Sequence, residues 1–400
     1  MIQAELFEMM NTNINLYKTC KSFYFHKTIF YKSYIVDIFL NPKYYQQNIL
    51  TYKSIPEELF DYVKNNTYQI INFDHNINFP NLTHLTLSNS YNQPITLPQT
   101  LKYLQLGNSF NQSITLPQTL TDFTIGNCFN QPLVLPPQLI HFNMGHYFKQ
   151  PVILPPYLTH LKMGSQFNKP LELPEQLISL EMGNNFNQSI TLPPKLIRLE
   201  MGRNFNQSIT LPSKLKSLKM GYDFNQAIWL PHTLTHFTMG VNYNHSIVLP
   251  DQLTHLTIGY VFEQLITFPS TLTHLKLGYR FNHPIILPSE LREFIMNDSY
   301  NQSIKLPSKL TDLSMGRDFN QPIELPNGLR YLKMDYYFNH PITLPETLTY
   351  LKMGYEFNQP IDMKNLKEVI INTKYSYPID VETLSPDIKL YMNNKLININ

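Results

Sequence analysis

The chain has 400 residues, a formal net charge of +2 and only 15% charged residues, so it carries no electrostatic footprint for nucleic acid. Two cysteines, Cys20 and Cys128, are too few for a disulfide framework. No apolar run approaches the roughly 18 residues of a membrane span, and the first residues lack the basic start and apolar core of a signal peptide; a cytoplasmic setting is expected.

Residues 1–62 contain no repeat and are crowded with aromatics, as in "KSFYFHKTIFYKSYIVDIFL". Leu16, Cys20, Phe23 and Tyr24 share a helical face, and Ile29, Ile35 and Phe39 do so more loosely. The expectation is two or three short helices packed against the body of the chain beyond residue 62. From residue 63 the character changes. Phe73, Ile77, Phe79, Pro80, Leu82, Leu85 and Leu87 match a repeat unit with one residue missing, as an irregular cap would.

The regular coils run over 91–361. An aromatic returns every 19 residues from Tyr91 through Phe110 and Phe129 to Phe357, without insertion or deletion. A fixed period of that size marks a solenoid or array. The unit reads [FY]-N-Q-[PS]-I-x-L-P-x-x-L-x-x-[LF]-x-[ML]-G-x-x, and "FNQSITLP" occurs verbatim at 110, 186 and 205. In "LKYLQLG" the alternation of Leu104 and Leu106 with Tyr103 and Gln105 predicts a short half-buried strand. Twelve of the 13 glycines close that strand, with Asn297 and Asp335 in the same column of two other units. Those residue types predict a corner at positive φ. The proline-bearing return segment suits an extended or polyproline II path.

A single coil cannot bury its own apolar face; stacking does so, Leu on Leu and Phe on Phe. Beyond the regular coils, Leu366, Val369 and Ile371 match with one residue missing, and Lys364 replaces the proline. Tyr375 and Ile379 begin a weak further unit, and "LSPDIKLYMNNKLININ" is expected to cover the last coil. The predicted organisation is a helical segment at 1–62, a solenoid at 63–390 and a tail at 391–400. The fold class is mainly β: a leucine-rich-repeat-like parallel β-solenoid of 19-residue coils, weighed against another kind of parallel β-helix.

If the pattern positions build the fold, function belongs at the variable ones. Two columns should face out of the strands. The first contains Arg198, His236, His255, His274, Tyr331 and Tyr350, which are the candidate partner-binding residues. The second contains Lys162, Lys219, Lys276 and Lys333, three units apart. The His row invites a metal reading, since imidazole suits zinc or copper. It lacks a further ligand type, and a pH-sensitive surface is the preferred reading. No Ser/His/Asp grouping or glycine-rich phosphate loop stands out, so neither catalysis nor a cofactor is expected. Asn111, Asn187, Asn206, Asn244 and Asn301 fit the glycosylation pattern, yet the same Asn precedes "QP" elsewhere. The plain explanation is an Asn ladder bonding the backbone of the next coil. Trp229 replaces a Thr and is expected to be exposed.

"FNQPI" at Phe319–Ile323 and Phe357–Ile361, and "FNHPI" at Phe281–Ile285 and Phe338–Ile342, resemble the FNIP-repeat proteins of social amoebae and giant amoeba-infecting viruses. The resemblance covers about three quarters of the chain. Many such viral proteins place a degenerate F-box before the repeats, and "INLYKTCKSFYFHKTIFYKSYIV" looks like the second half of one, a truncated F-box-like segment. Its usual Leu-Pro-x-Glu opening is missing. The resemblance implies a non-enzymatic protein-interaction scaffold whose segment 1–62 docks on a cullin ubiquitin-ligase adaptor and whose repeats receive a substrate. The rival is a ligand- or ion-binding solenoid with no ligase link. Either way the expectation is a monomer with a protein partner on the strand face and no nucleic acid, membrane or cofactor, in the cytoplasm (a host's cytoplasm if viral).

Overall fold

A computed structural model describes residues 82–379, 384–385, 387–392 and 395–397. Ahead of these it describes the backbone of four strands: β1 (Phe25–Tyr31), β2 (Tyr34–Leu40), β3 (Ile49–Tyr52) and β4 (Gln69–Phe73). Most of the segment expected to be helical and F-box-like, including Leu16, Cys20, Phe23 and Tyr24, lies outside the described residues. The described parts correct the expectation: Ile29 lies in β1, and Ile35 and Phe39 lie in the antiparallel β2. Isoleucine and aromatic residues suit a pleated strand better than a helix, and a loose helical face is no match for that preference.

The chain divides into two units, Met1–Phe167 and Asn168–Asn400. In the first, β5 (His84–Leu87), β6 (Tyr103–Gln105), β7 (Asp122–Thr124), β8 (His141–Asn143) and β9 (His160–Lys162) pair in parallel. Each residue sits beside its equivalent 19 positions on, as His84 does beside Tyr103. The second unit continues the plan with β10 (Ser179–Glu181), β11 (Arg198–Glu200), β12 (Ser217–Lys219), β13 (His236–Thr238) and β14 (His255–Thr257). Then come β15 (His274–Lys276), β16 (Glu293–Ile295), β17 (Asp312–Ser314), β18 (Tyr331–Lys333) and β19 (Tyr350–Lys352). β20 (Glu368–Ile371) joins β19 one residue early, Tyr350 beside Glu368. β21 (Lys389–Met392) comes next in parallel, and β22 (Lys395–Ile397) folds back antiparallel on it. No helix is found among the described residues, and so none long and apolar enough to cross a membrane.

Each short strand buries its middle residue and shows its flanks, as Leu199 does between Arg198 and Glu200. Two hydrogen-bonded turns make the corners. Phe205 N–H donates to Gly202 O at 3.2 Å, and Leu215 N–H donates to Pro212 O at 3.2 Å. Between the turns runs the extended return segment, with no strand pairing. The aromatic that opens the unit is fully buried, and its ring lies almost parallel to the next. Phe110 and Phe129 are 6.1 Å apart in the first unit, and Phe205 and Phe224 are 6.2 Å apart in the second. That separation is offset stacking at coil spacing.

The Asn ladder is present in both units. Asn111 Oδ1 accepts the backbone N–H of Asn130 at 2.9 Å, and Asn206 Oδ1 accepts that of Asn225 at 2.9 Å. The next residue, Gln, reaches back to the same Asn, as Gln226 Nε2 does to Asn206 Oδ1 at 3.2 Å. The repeated Asn therefore satisfies backbone that has no strand partner.

The glycine column corrects a second expectation. Its backbone is not left-handed. A Cβ at Gly221 would instead collide with the Gly202 carbonyl, one coil back, and a Cβ at Gly126 would collide with that of Gly107. At these glycines the coils approach too closely for a Cβ in the same backbone position. Asn297 occupies the column with its amide turned onto Phe281 O, 2.8 Å away, and Asn372 bonds Phe357 O at 2.8 Å in the same manner.

Candidate interaction surface

Parallel pairing in strict register sets each outward residue beside its equivalent. His236 lies beside His255, and His255 beside His274. Their rings stack 4.2 Å and 4.1 Å apart, within 11° and 9° of parallel. The preceding threonines fix their orientation. Thr254 Oγ1 bonds Thr235 O at 3.0 Å and lies 2.8 Å from His255 Nδ1; Thr273 repeats both contacts with Thr254 O and His274. A hydroxyl has one proton, and a carbonyl can only accept it. The ring nitrogen Nδ1 therefore donates to the hydroxyl, which leaves Nε2 facing away as the acceptor.

Rings held parallel send their Nε2 lone pairs out side by side rather than toward one point. Among the described residues no group of three or more His, Cys, Asp or Glu could hold a metal ion. His274 Nε2 is 3.8 Å from Glu293 Oε2, and this carboxylate ends the row. Burial pushes the pKa of His255 below the usual histidine value, and the neighbouring His274 and His236 push it further down. An imidazolium is hard to place between two rings in a stack.

Tyr331 and Tyr350 form the other stack, with rings 4.4 Å apart and 5° from parallel. Burial, then the nearby Tyr331 and Glu368, raise the pKa of Tyr350. Arg198 stands apart. It is exposed on β11, with Ser217 of β12 between it and His236. Glu293 and Asp312 separate the His row from the tyrosines. The candidate residues thus share one column but make three clusters rather than a single pocket. Of the recurring lysines, Lys219 is bound to Glu200 at 2.5 Å.

In the first unit, His141 Nδ1 pairs with Asp122 Oδ1 at 2.6 Å, and the His160 ring is 4.7 Å from that of His141.

A family model described as the FNIP Repeat matches the chain in overlapping segments from 91–128 to 338–370. The chain belongs to the FNIP-repeat family. Its repeats are also similar to a solved structure, that of CroV588, described as a novel circular LRR protein. The two share 32% identity with a TM-score of 0.60, over 82% of this chain and 66% of that one. The chain therefore spans just under two thirds of that protein. A second similar structure is YopM from Yersinia enterocolitica WA-314, at 20% identity and a TM-score of 0.46, over 84% of this chain and 93% of that one. No curated protein matches. The fold is a mainly-strand, leucine-rich-repeat-like parallel β-solenoid with coils of 19 residues.

Two features of the FNIP coils are not evident from the repeat pattern. The positions after each glycine have the character of loop, yet Tyr222, Tyr260, Tyr279, Tyr336 and Tyr355 recur there, each exposed or partly so. Tyr260 and Tyr279 stack at 4.5 Å, and Arg203 lies 4.8 Å over the Tyr222 ring. The signal is a tyrosine recurring at multiples of 19. On the return segments Trp229 is 88% exposed, as expected, but it is not isolated: Val248, Leu265 and Ile286 protrude from the following coils at 76% exposure or more.

Proposed function

We propose that the chain is a non-enzymatic protein-interaction scaffold that holds a protein partner on its strand face. One contrast carries the reading. The repeated aromatic and the repeated Leu, Phe and Met positions in and beside the strand are buried, whereas the strand positions that vary hold Tyr, His, Arg and Lys in reach of solvent. Tyr and Arg are the residue types that dominate binding energy at interfaces. Arg198, His236, His255, His274, Tyr331 and Tyr350 are the residues proposed to bind. Capture of the partner from the natural host cell tests this. The double variant Tyr331→Ser/Tyr350→Ser should lose the partner and keep its thermal midpoint. Capture that survives changes in all three clusters would refute the reading.

A link to a cullin-ligase adaptor through residues 1–62 is the finer form of the proposal and rests on family resemblance alone. Adaptor and cullin recovered with the full chain, but not after deletion of 1–62, would support it. Partners unchanged by that deletion would remove it. The competing ion-binding reading has the parallel His rings against it.

A further inference from the structure

Lys333 and Lys352 face each other in register on adjacent strands, two residues along from the stacked Tyr331 and Tyr350. Like charges directly opposite destabilise a sheet. Elsewhere in this unit Lys219 of β12 has Glu200 one coil away at 2.5 Å, and Lys276 of β15 stands alone between Thr257 and Ile295 rather than opposite another lysine. Here the preceding coil offers Ser314 instead, and neither Lys333 nor Lys352 forms an ion pair among the described residues. Arg330 and Lys367, which precede β18 and β20, are exposed and make no ion pair among them either. Two carboxylates border the patch. Asp312 is held by the Thr311 hydroxyl at 2.6 Å, and Glu368 stands beside Tyr350.

The patch is a pair of stacked rings with Lys333 and Lys352 on one side along the strands and Arg330 and Lys367 on the other, and no carboxylate lies beside the two facing lysines in the strand register. We infer that it docks an extended acidic segment of a partner protein, with a carboxylate between Lys333 and Lys352 and an aromatic side chain on the Tyr331–Tyr350 rings. The offset is set by the strand. Tyr331 and Lys333 lie two residues apart on one face, so an extended peptide alongside meets them with side chains two residues apart. The segment therefore carries Asp or Glu two positions from an aromatic residue. The inference rests on the strand face being the binding surface.

Selection of a displayed library of random dodecapeptides on the full chain tests it. Enrichment of Asp or Glu two positions from Phe, Tyr or Trp is expected. A selected peptide should bind at least tenfold more weakly to Lys333→Glu/Lys352→Glu, and within twofold of the parent to Lys305→Glu on a return segment. Thermal melts check that each variant is folded. Enriched peptides without acidic residues, or equal binding to Lys333→Glu/Lys352→Glu, would overturn the inference. The strand-face reading would then survive only if Tyr331→Ser/Tyr350→Ser still abolished binding; if it did not, both fall. No enrichment also overturns the inference. So does displacement of the peptide by oligo(dT) at lower concentration than the unlabelled peptide needs, since the lysine pair would then be reading phosphate.

Discussion

Two kinds of ring stack, inner and outer, run through the second unit, and they obey different rules. The inner stack, Phe186 to Phe281, is fully buried and spaced at 6.2 to 6.3 Å. The outer stacks, His236–His255–His274 and Tyr331–Tyr350, close to 4.1 to 4.4 Å on the solvent side. The inner rings are fixed by packing from every side, and their identity barely changes. The outer rings are set side by side by strand register alone, so the same ladder accepts Arg, His, Glu or Tyr at each step. The comparison separates positions that hold the fold from positions free to carry chemistry.

The sharpest way to break the comparison is to remove one inner ring. Phe205→Ala should cost about 3–5 kcal/mol, the usual loss for an aromatic deletion in a core, while Tyr350→Ser should leave the denaturation midpoint nearly unchanged. Chemical denaturation of both variants compares them directly; similar losses would erase the distinction. Gly221→Ala comes next. Its Cβ meets the carbonyl of Gly202, which as backbone cannot swing aside, so a loss of about 1–3 kcal/mol or more is expected from overpacking. A smaller effect of opposite sign is expected inside the inner stack itself. Tyr243 and Tyr300 replace Phe there with hydroxyls that have no partner among the described residues, and burial pushes both pKa values up to about 12. Tyr243→Phe should raise the thermal midpoint, by about 1 kcal/mol of stability, because an unsatisfied buried hydroxyl is removed. A lower midpoint would mean that the hydroxyl is bonded.

The smallest expected effect is on the outer His row. The folded pKa of His255 lies below its unfolded value of 6.5. The unfolded chain then binds the proton more readily, so stability is fully present above pH 6.5 and lost as pH falls through the depressed value. His160 shifts in the same direction in the first unit. Thermal midpoints at pH 7.5 and 5.5 should therefore fall with acidification, and His255→Gln should reduce the fall without abolishing it. An identical pH response in His255→Gln would show that the stack does not resist protonation.

Much of this was legible in the sequence, because a strict repeat averages its own noise. The strand, the buried aromatic and the Asn ladder each recur often enough for chance to be set aside. The reason for glycine was not legible. A left-handed corner and a missing Cβ select the same residue, and Asn297 and Asp335 pointed toward the wrong one of the two. The tyrosines after glycine were hidden because they recur in only some coils, among Asn, Arg and Asp. Ile29, Ile35 and Phe39 failed for another reason: a single non-repeated run fits a loose helical face and a hairpin equally well, and nothing nearby breaks the tie. The candidate residues could be placed on one column from sequence. Their division into three clusters depended on which residues stand between them.

A partner held on the strand face, and not on the return face, should be within reach of a probe on one and out of reach of a probe on the other. Photo-crosslinking tests it most directly, with benzoylphenylalanine placed at Tyr331 on β18 or at Thr210 on a return segment of the full chain, in extract of the natural host cell. A discrete adduct is expected from position 331 and none from position 210. An adduct from position 210 alone would contradict it.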